Sequence, residues 1–442
     1  MVGFGGSERK PGKAEEVRSG ERGLSSLMGS MIAQPISVAL LTGGGDRPYA
    51  FGLATALMSE SVALDLVGSD DLDCPEFHGT SGVSFLNLRG SQEPGASFAS
   101  KMLRVSIYYA KLIRYAATAK PRIFHILWNN KFEYLDRTLL MLYYRLLGKI
   151  IVLTLHNVNA GKRDVDDSLL NRLTLRIQYR LASHIFVHTE KMKLELMEEF
   201  GEREGRIAVI PFGINNAVTN TSLTTADAKR RLGIRDGERT ILFFGNITPY
   251  KGLEYLTAAF RDVSARRDDY LLIIAGRPKS CERYWTAIRE MVREDAGRGR
   301  VLIKAEYIPD DETEIYFKAA DVLVLPYTHI YQSGVLFLGY SFGLPVLAAD
   351  VGSLKDEIVE GKTGFMFRPE DPDDLARAIE RYFASDLYAE LNNRRQEIRD
   401  YATERHSWDI VGEMTQDVYT RLLERVDDYA TSGVNSRSCV QR

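Results

Sequence analysis

The chain is predicted to be an α/β protein with two doubly wound domains facing each other across a cleft. Three observations point there. Its 442 residues are too many for one ordinary core and suit two of about 200 residues each. The apolar run Ile36–Leu41, the turn Gly43-Gly44-Gly45 and the helical stretch Tyr49–Met58 open a strand–turn–helix unit. The same alternation breaks at polar, irregular sequence after Phe212 and restarts at Thr240.

In the first half, further strands are expected at Arg122–Leu127, Ile150–Leu155, His184–Val187 and Ile207–Ile210, with helices over Phe98–Ala117, Leu135–Leu147 and Ser168–Leu181. In the second half, strands are expected at Thr240–Phe244, Tyr270–Ala275, Val301–Lys304, Val322–Leu325 and Pro345–Ala348. Helices between and after them cover Leu253–Val263, Tyr284–Glu294, Asp311–Ala319, Gly334–Phe342 and Leu375–Phe383. Residues 1–34 lack a hydrophobic period and are expected to be disordered, with Met28 and Met31 as alternative starts. A Rossmann-like domain follows over 35–213, a linker over 214–229 and a second Rossmann-like domain over 230–405. An amphipathic helix over 406–429 is expected to cross back to the first domain, ahead of a frayed tail over 430–442.

Composition narrows the function classes. Hydrophobic residues make up 45% and charged residues 26%, as in a soluble globular protein, and the net charge of −3 argues against nucleic-acid binding. Cys74, Cys281 and Cys439 are far apart with no CxxC pair, so neither a zinc site nor a disulfide framework is expected, and a reducing cytoplasm is the expected compartment. No run reaches the ~18 apolar residues of a membrane span, and the N-terminus lacks the apolar core of a signal peptide.

Ligands of doubly wound sheets bind beyond the carboxyl ends of the strands. Four such loops in the second half carry ligand-type residues. In Phe244-Gly-Asn-Ile-Thr-Pro-Tyr-Lys-Gly252, Gly245 lets a ligand approach the backbone and Lys251 offers a charge beside a helix start. An ordinary turn with a solvated lysine reads equally well. In Tyr331-Gln-Ser-Gly-Val335, small residues at a helix start present free amides to an anion, with Gln332 and Ser333 adding side-chain bonds, or Ser333 merely caps the helix. Arg277 stands just past one strand, and Tyr307 and Ile308 past another, where the backbone meets a base.

The runs Ile241–Phe260, Tyr307–Tyr327 and Gly343–Gly364 together resemble the retaining glycosyltransferases of GT-B fold, family 4 or "group 1". Leu153-Thr-Leu-His-Asn157, Ile185-Phe-Val-His-Thr189 and Val209-Ile-Pro-Phe-Gly213 resemble the same family's first-domain landmarks, and the resemblance covers about Ile36 to Tyr419. It implies a nucleotide-diphosphate sugar in the second domain, an acceptor on the first, and transfer with retention. Lys251 is then expected to neutralise the diphosphate, and His156 to face the sugar across the cleft. Gly245, Asn246, Arg277, Tyr307, Ile308, Gln332, Ser333, Gly334 and Val335 are expected to bind the donor. Gly44, Gly45, Asp46 and Asn157 form the expected acceptor and phosphate loop. No metal and no other cofactor is expected, since cations and helix starts meet the leaving charge. Asp71-Leu-Asp73 and Asp371-Pro-Asp373 read as solvated acids.

The sequence departs from the family pattern at three places. The two family glutamates fall on Ile330 and Leu338, and the family arginine falls on Asn246. Arg277 is the expected replacement for the charge, and Gln332 and Ser333 for the first glutamate. A catalytically inert nucleotide-sugar-binding or scaffold protein is therefore the alternative to a metal-independent hexosyltransferase. A sugar-nucleotide epimerase lacks its carboxylate set. Among the histidines, His125, His184 and His188 are expected to be packed or capped, and His329 ranks below His156.

From Lys101 to Lys149, ten Lys and Arg residues face only Glu133 and Asp136, interleaved with Tyr108, Tyr109, Tyr115, Trp128, Phe132, Tyr134, Tyr143 and Tyr144. Either the aromatic residues pack the core beneath a solvated basic face, or the region meets an anionic membrane. The second reading suits a cytoplasmic protein peripheral to the inner face of the plasma membrane, acting on a glycan or polyprenyl-linked acceptor in polysaccharide or glycolipid synthesis.

Overall fold

The computed structural model describes residues 36–45, 47–92, 95, 97–163, 167–215, 218–279 and 281–438, with 162–163 and 428–438 by backbone alone. The extension expected over 1–34, Asp46 and Cys439 lie outside the described residues.

The chain from Ile36 onward carries two all-parallel sheets. The first holds β1 (Ser37–Leu41), β2 (Ala63–Gly68), β3 (Val83–Asn87), β4 (Ile123–Ile126), β5 (Ile150–Thr154), β6 (His184–Val187) and β7 (Ile207–Val209), in the order β3-β2-β1-β4-β5-β6-β7. The second holds β8 (Arg239–Phe244), β9 (Tyr270–Ala275), β10 (Val301–Lys304), β11 (Val322–Leu325), β12 (Val346–Ala349) and β13 (Gly364–Phe367), in the order β10-β9-β8-β11-β12-β13. Strand order reverses between β1 and β4 and between β8 and β11. Loops diverge at these switch points and open a crevice beyond the carboxyl ends of the strands.

Strand residues alternate between two cores. Val38 and Leu40 join the helix Arg47–Ser59 and the C-terminal helix Trp408–Ser438 on one face of the first sheet. Ala39 and Leu41 join helices Phe98–Thr118, Leu169–Leu181 and Glu190–Phe200, and the helical segment 133–146, on the other. Several of these helices start on a capping side chain: Ser97, Ser168 and Thr189 accept from the backbone N–H three residues on. Segment 133–146 carries a π-turn over Asp136–Leu140.

β2, β3 and β13 were not foreseen. β3 is an edge strand with half-exposed side chains, and β13 is a four-residue strand opening on glycine. Gly364 is required there, because a Cβ would lie 1.8 Å from the Val346 carbonyl oxygen. Within the expected linker, Thr224 caps a helix over Thr225–Arg231, and Val218 and Ala228 pack into the second domain's core.

The C-terminal helix returns to the first domain. The Trp408 indole N–H donates to the Ile214 carbonyl at 2.8 Å, and its ring fills the space that a Cβ on Gly52 or Gly213 would take. The Tyr419 hydroxyl meets buried His125 Nδ1 at 2.6 Å. The backbone stays helical to Ser438, beyond the expected end at Tyr429, and no proline interrupts it.

Candidate functional site

The loop after β8 is shaped by glycines. Gly245 and Gly252 adopt φ of +97° and +63°, and a Cβ on Gly252 would lie 1.9 Å from the Pro326 carbonyl oxygen. This turn carries Lys251 inward. Its side chain is buried, lies 5.5 Å from the Tyr327 ring centre, and has no carboxylate or hydrogen-bond partner among the described residues. Desolvation alone pushes its pKa down to about 8. The solvated-lysine reading is therefore excluded. The Thr248 hydroxyl on the same loop is buried without a partner.

The loop after β11 leads into helix Gly334–Ser341. Ser333 occupies the N-cap position but makes no side-chain cap bond; its hydroxyl lies 3.3 Å from the Tyr327 hydroxyl instead. The capping reading thus fails for Ser333, and the first amides of the helix are left to other partners. Both side-chain polar atoms of Gln332 are buried and unpartnered. Buried polar atoms are rarely left without a partner. Gly334 and Val335 line the interdomain cavity, and a Cβ on Gly245 would come 3.4 Å from Val335 Cγ2.

Arg277 is exposed after β9. It lies 5.8 Å from the Tyr307 ring centre, and its Nε donates to Asn246 Oδ1 at 3.4 Å. The expected substitute cation and the residue at the family's arginine position therefore meet. Tyr307 is exposed and Ile308 buried, past β10.

In the first domain, His156 follows β5 and is enclosed by rings. Trp128 stacks on it at 4.2 Å with 6° between planes, and Tyr49 meets it edge-on at 4.7 Å. Burial, aided by nearby His188, holds its pKa well below the usual histidine value, so the ring is neutral at physiological pH. The hydrogen-bond chain sets its tautomer. His188 Nδ1 lies 3.3 Å from the Ile210 carbonyl oxygen and so donates to it. That leaves His188 Nε2 as an acceptor for His156 Nδ1–H at 3.3 Å. His156 Nε2 consequently carries a lone pair, and it is buried without a partner. It is an acceptor without a donor among the described residues.

The glycine turn after β1 is packed from two sides. Arg89 donates to the Gly43 carbonyl and fills the space above Gly44, while the Trp128 ring covers Gly45. Asn157, half-buried, follows His156. A cavity of about 230 Å³ lies between the domains, lined by Pro48, Tyr49, Phe212, Gly213 and Asn215 from one side and Gly334, Val335 and Leu338 from the other, with Trp408 of the returning helix. Leu338 thus presents an apolar wall where the family carries a glutamate; Ile330 packs against the second core. Phe212 stacks on Phe337 at 5.4 Å, the Tyr331 hydroxyl donates to Glu195 at 2.9 Å, and Arg47 pairs with Asp310 at 2.7 Å, all across the cleft.

Several sequence expectations find other homes. His125 is fully buried between the Tyr419 and Thr154 hydroxyls, and His184 is buried. His188 is more than a packed residue, since it orients His156. Asp73 pairs with His78, and Asp371 caps helix Pro372–Phe383 by accepting from Asp374 N–H. Among the described residues no cluster of three metal-ligating side chains occurs. Cys74 and Cys281 are free thiols. Trp128, His188, Tyr49 and Arg89 were missed as site residues. Trp128 and Arg89 are placed against Gly45 and Gly44, and Tyr49 and His188 against the His156 ring, by contacts between residues far apart in sequence.

Comparisons with known proteins follow the same outline. A family model described as "Glycosyl transferases group 1" matches residues 238–385, and one described as "Glycosyltransferase Family 4" matches 43–218. An uncharacterized glycosyltransferase of Methanocaldococcus jannaschii is 24% identical over 393 residues, covering 86% of this chain and 95% of that one. A D-inositol 3-phosphate glycosyltransferase of Acidothermus cellulolyticus is 28% identical over 263 residues, covering 58% of this chain and 57% of that one. Among solved structures, sucrose-phosphate synthase from Thermosynechococcus elongatus superposes with a TM-score of 0.69 at 19% identity, covering 88% of this chain and all of its own. Anabaena HepE in complex with UDP and glucose gives 0.67 at 15% identity, covering 87% of this chain and all of its own.

Proposed function

Because the chain belongs to the group 1 and family 4 glycosyltransferases of GT-B fold, we propose that it moves a hexose from a nucleotide-diphosphate sugar to a glycan or lipid-linked acceptor, with retention at the anomeric carbon. The observation that carries this reading is the set of unsatisfied polar groups at the cleft. The Lys251 ammonium, both side-chain polar atoms of Gln332 and His156 Nε2 come from three loops of two domains; each is buried and none has a hydrogen-bond partner among the described residues. Lys251 and the first amides of helix Gly334–Ser341 meet the charge that builds on the leaving diphosphate, which is the task a metal performs elsewhere. Gln332 reads a sugar hydroxyl in place of the family's first glutamate. His156, neutral and with its lone pair on Nε2, accepts from another hydroxyl. Arg277 reaches the outer phosphate from the rim, and Tyr307 and Ile308 border the base.

A bilayer is the proposed setting. Tyr108, Tyr109 and Tyr144 are core residues, as the packing reading expects. Yet Phe98, Leu103, Leu139, Leu146 and Leu169 are each more than 60% exposed on neighbouring helices of the same face. Asp136 is buried, and Glu133 is paired to Arg137, so both acids of the stretch are engaged. Exposed apolar side chains interleaved with Lys and Arg residues suit a peripheral position on an anionic membrane. No helix among the described residues is long and apolar enough to cross one.

The apolar Leu338 wall favours a second reading, an inert nucleotide-sugar-binding scaffold. A turnover screen over nucleotide-sugars, with membrane extracts as acceptor, separates the two. Transfer or donor hydrolysis that falls at least about a hundredfold in Lys251→Ala and His156→Ala supports the enzyme. Nucleotide binding with no turnover against any donor supports the scaffold.

A further inference from the structure

A second polar cavity, of about 210 Å³, opens in the first domain away from the donor loops, lined by Arg89, Gln92, Lys101, Arg104, Val105, Tyr108 and Lys131. Four of these seven residues are cations, and none of the described lining residues is acidic. The cations come from three places in the chain. Arg89 and Gln92 follow β3. Lys101, Arg104, Val105 and Tyr108 form one stripe of helix Phe98–Thr118 at spacings of three, one and three. Lys131 lies in the loop after β4, three residues beyond the Trp128 that stacks on His156.

The place of this cavity matters as much as its charge. On its inner side, Arg89 donates to the Gly43 carbonyl in the glycine turn of the cleft, and its guanidinium lies 5.4 Å from the Tyr108 ring centre. On its outer side, Phe98, Met102, Leu103 and Ile107 of the same helix are exposed, at 79%, 40%, 62% and 45%. The cavity is thus joined to the cleft's glycine turn through Arg89, and the helix that lines it also carries exposed apolar side chains.

We propose that this cavity binds the phosphate or diphosphate of a membrane-anchored acceptor, with the lipid tail directed to the apolar helix face and the sugar to be extended directed to the cleft. The proposal deepens the glycosyltransferase reading and rests on it. The chemistry is that of a multiply charged oxyanion. Arg89 and Arg104, whose guanidiniums also donate to the Gly43 and Ser91 carbonyls, supply delocalised positive charge, and Lys101 and Lys131 add point charges. Tying the acceptor phosphate to the lip of the cleft fixes the distance of its hydroxyl from the anomeric carbon, so the site selects acceptors by length as well as charge. It is separate from the donor diphosphate site at Lys251, which belongs to the second domain.

The test uses the full chain with UDP saturating the donor site, so that any remaining anion binding is read apart from it. Inorganic pyrophosphate is titrated calorimetrically into the wild type, Lys101→Gln/Lys131→Gln and, as a surface control on the same helix, Arg114→Gln. Equal melting temperatures establish that all three are folded. The proposal expects pyrophosphate affinity to fall at least about tenfold in the double variant and to hold in Arg114→Gln; equal affinity in all three overturns it. A flotation assay then distinguishes the anion's source. Neutral vesicles carrying dodecyl diphosphate should hold the wild type but not the double variant at about 0.5 M salt, where surface attraction is screened within a few ångströms. If phosphatidylglycerol vesicles alone hold it equally well through the same lysines, the cavity serves bulk headgroups and the acceptor assignment is overturned. Failure of UDP to bind in the first step counts against the donor reading alone, because the pyrophosphate comparison between variants is still read.

Discussion

The two domains share an architecture and differ in what they leave exposed. Of the nineteen large apolar side chains exposed among the described residues, sixteen belong to the first domain; the other three are Tyr307, Met414 and Val426. The second domain keeps its unmet chemistry inside, as a buried lysine and an unpaired amide beyond the ends of its strands. The first, apart from His156 Nε2, leaves apolar surface outside, on helices whose inner faces are already packed. One sheet-and-helix plan thus yields a site for a small polar ligand in one copy and, on the proposed reading, a docking face in the other.

Placing charge on the outer face tests that contrast most strongly. Leu103→Glu, Leu146→Glu and Leu169→Glu combined should lower partitioning onto anionic vesicles by a hundredfold or more, since each buried leucine is worth about 2 kcal/mol. Nucleotide affinity in solution should be unchanged, and a parallel loss of it would merge the two regions that the comparison separates. A smaller effect is expected at the boundary. His188→Phe removes the acceptor that fixes the His156 tautomer while keeping a ring in place. We expect kcat to fall about ten- to a hundredfold with little change in KM for the donor. A matching rise in KM would instead mean that His188 only holds the fold of the cleft. The smallest effect belongs to Tyr331→Phe, which loses one hydrogen bond to Glu195 across the cleft and should cost about 1 kcal/mol of stability in chemical denaturation.

What was legible in the sequence follows the range of the interactions that hold each feature. β6, β9 and β11 fall on their expected limits, because fully buried parallel strands read as unbroken apolar runs, and β10, a half-buried edge strand, does so as well. β3 and β13, at sheet edges, did not read so, and Gly364 is explained only by the Val346 carbonyl it packs against. In the site, Lys251 and Gln332 stood out because their loops follow recognisable strands. That Lys251 is buried, that Ser333 does not cap, and that His188 leaves the lone pair of His156 on Nε2 depend on residues far apart in sequence. Arg89 and Trp128 were invisible for the same reason, since they act through glycines that carry no side chain of their own.

The central claim is that the donor's diphosphate rests on Lys251. Its pKa of about 8 in the free protein gives that claim a sign. A bound diphosphate favours the charged ammonium and raises this pKa, so the free protein must take up a proton to bind at higher pH. Affinity attributable to Lys251 is then flat below about pH 8 and falls above it, by up to tenfold per unit, until the pKa of the complex is reached. The direct measurement is UDP affinity by calorimetry between pH 7 and 9.5 for the wild type and Lys251→Met. The account predicts a decline above pH 8 in the wild type, and weaker, pH-independent binding in the variant. Equal affinity and equal pH dependence in the two proteins would contradict it.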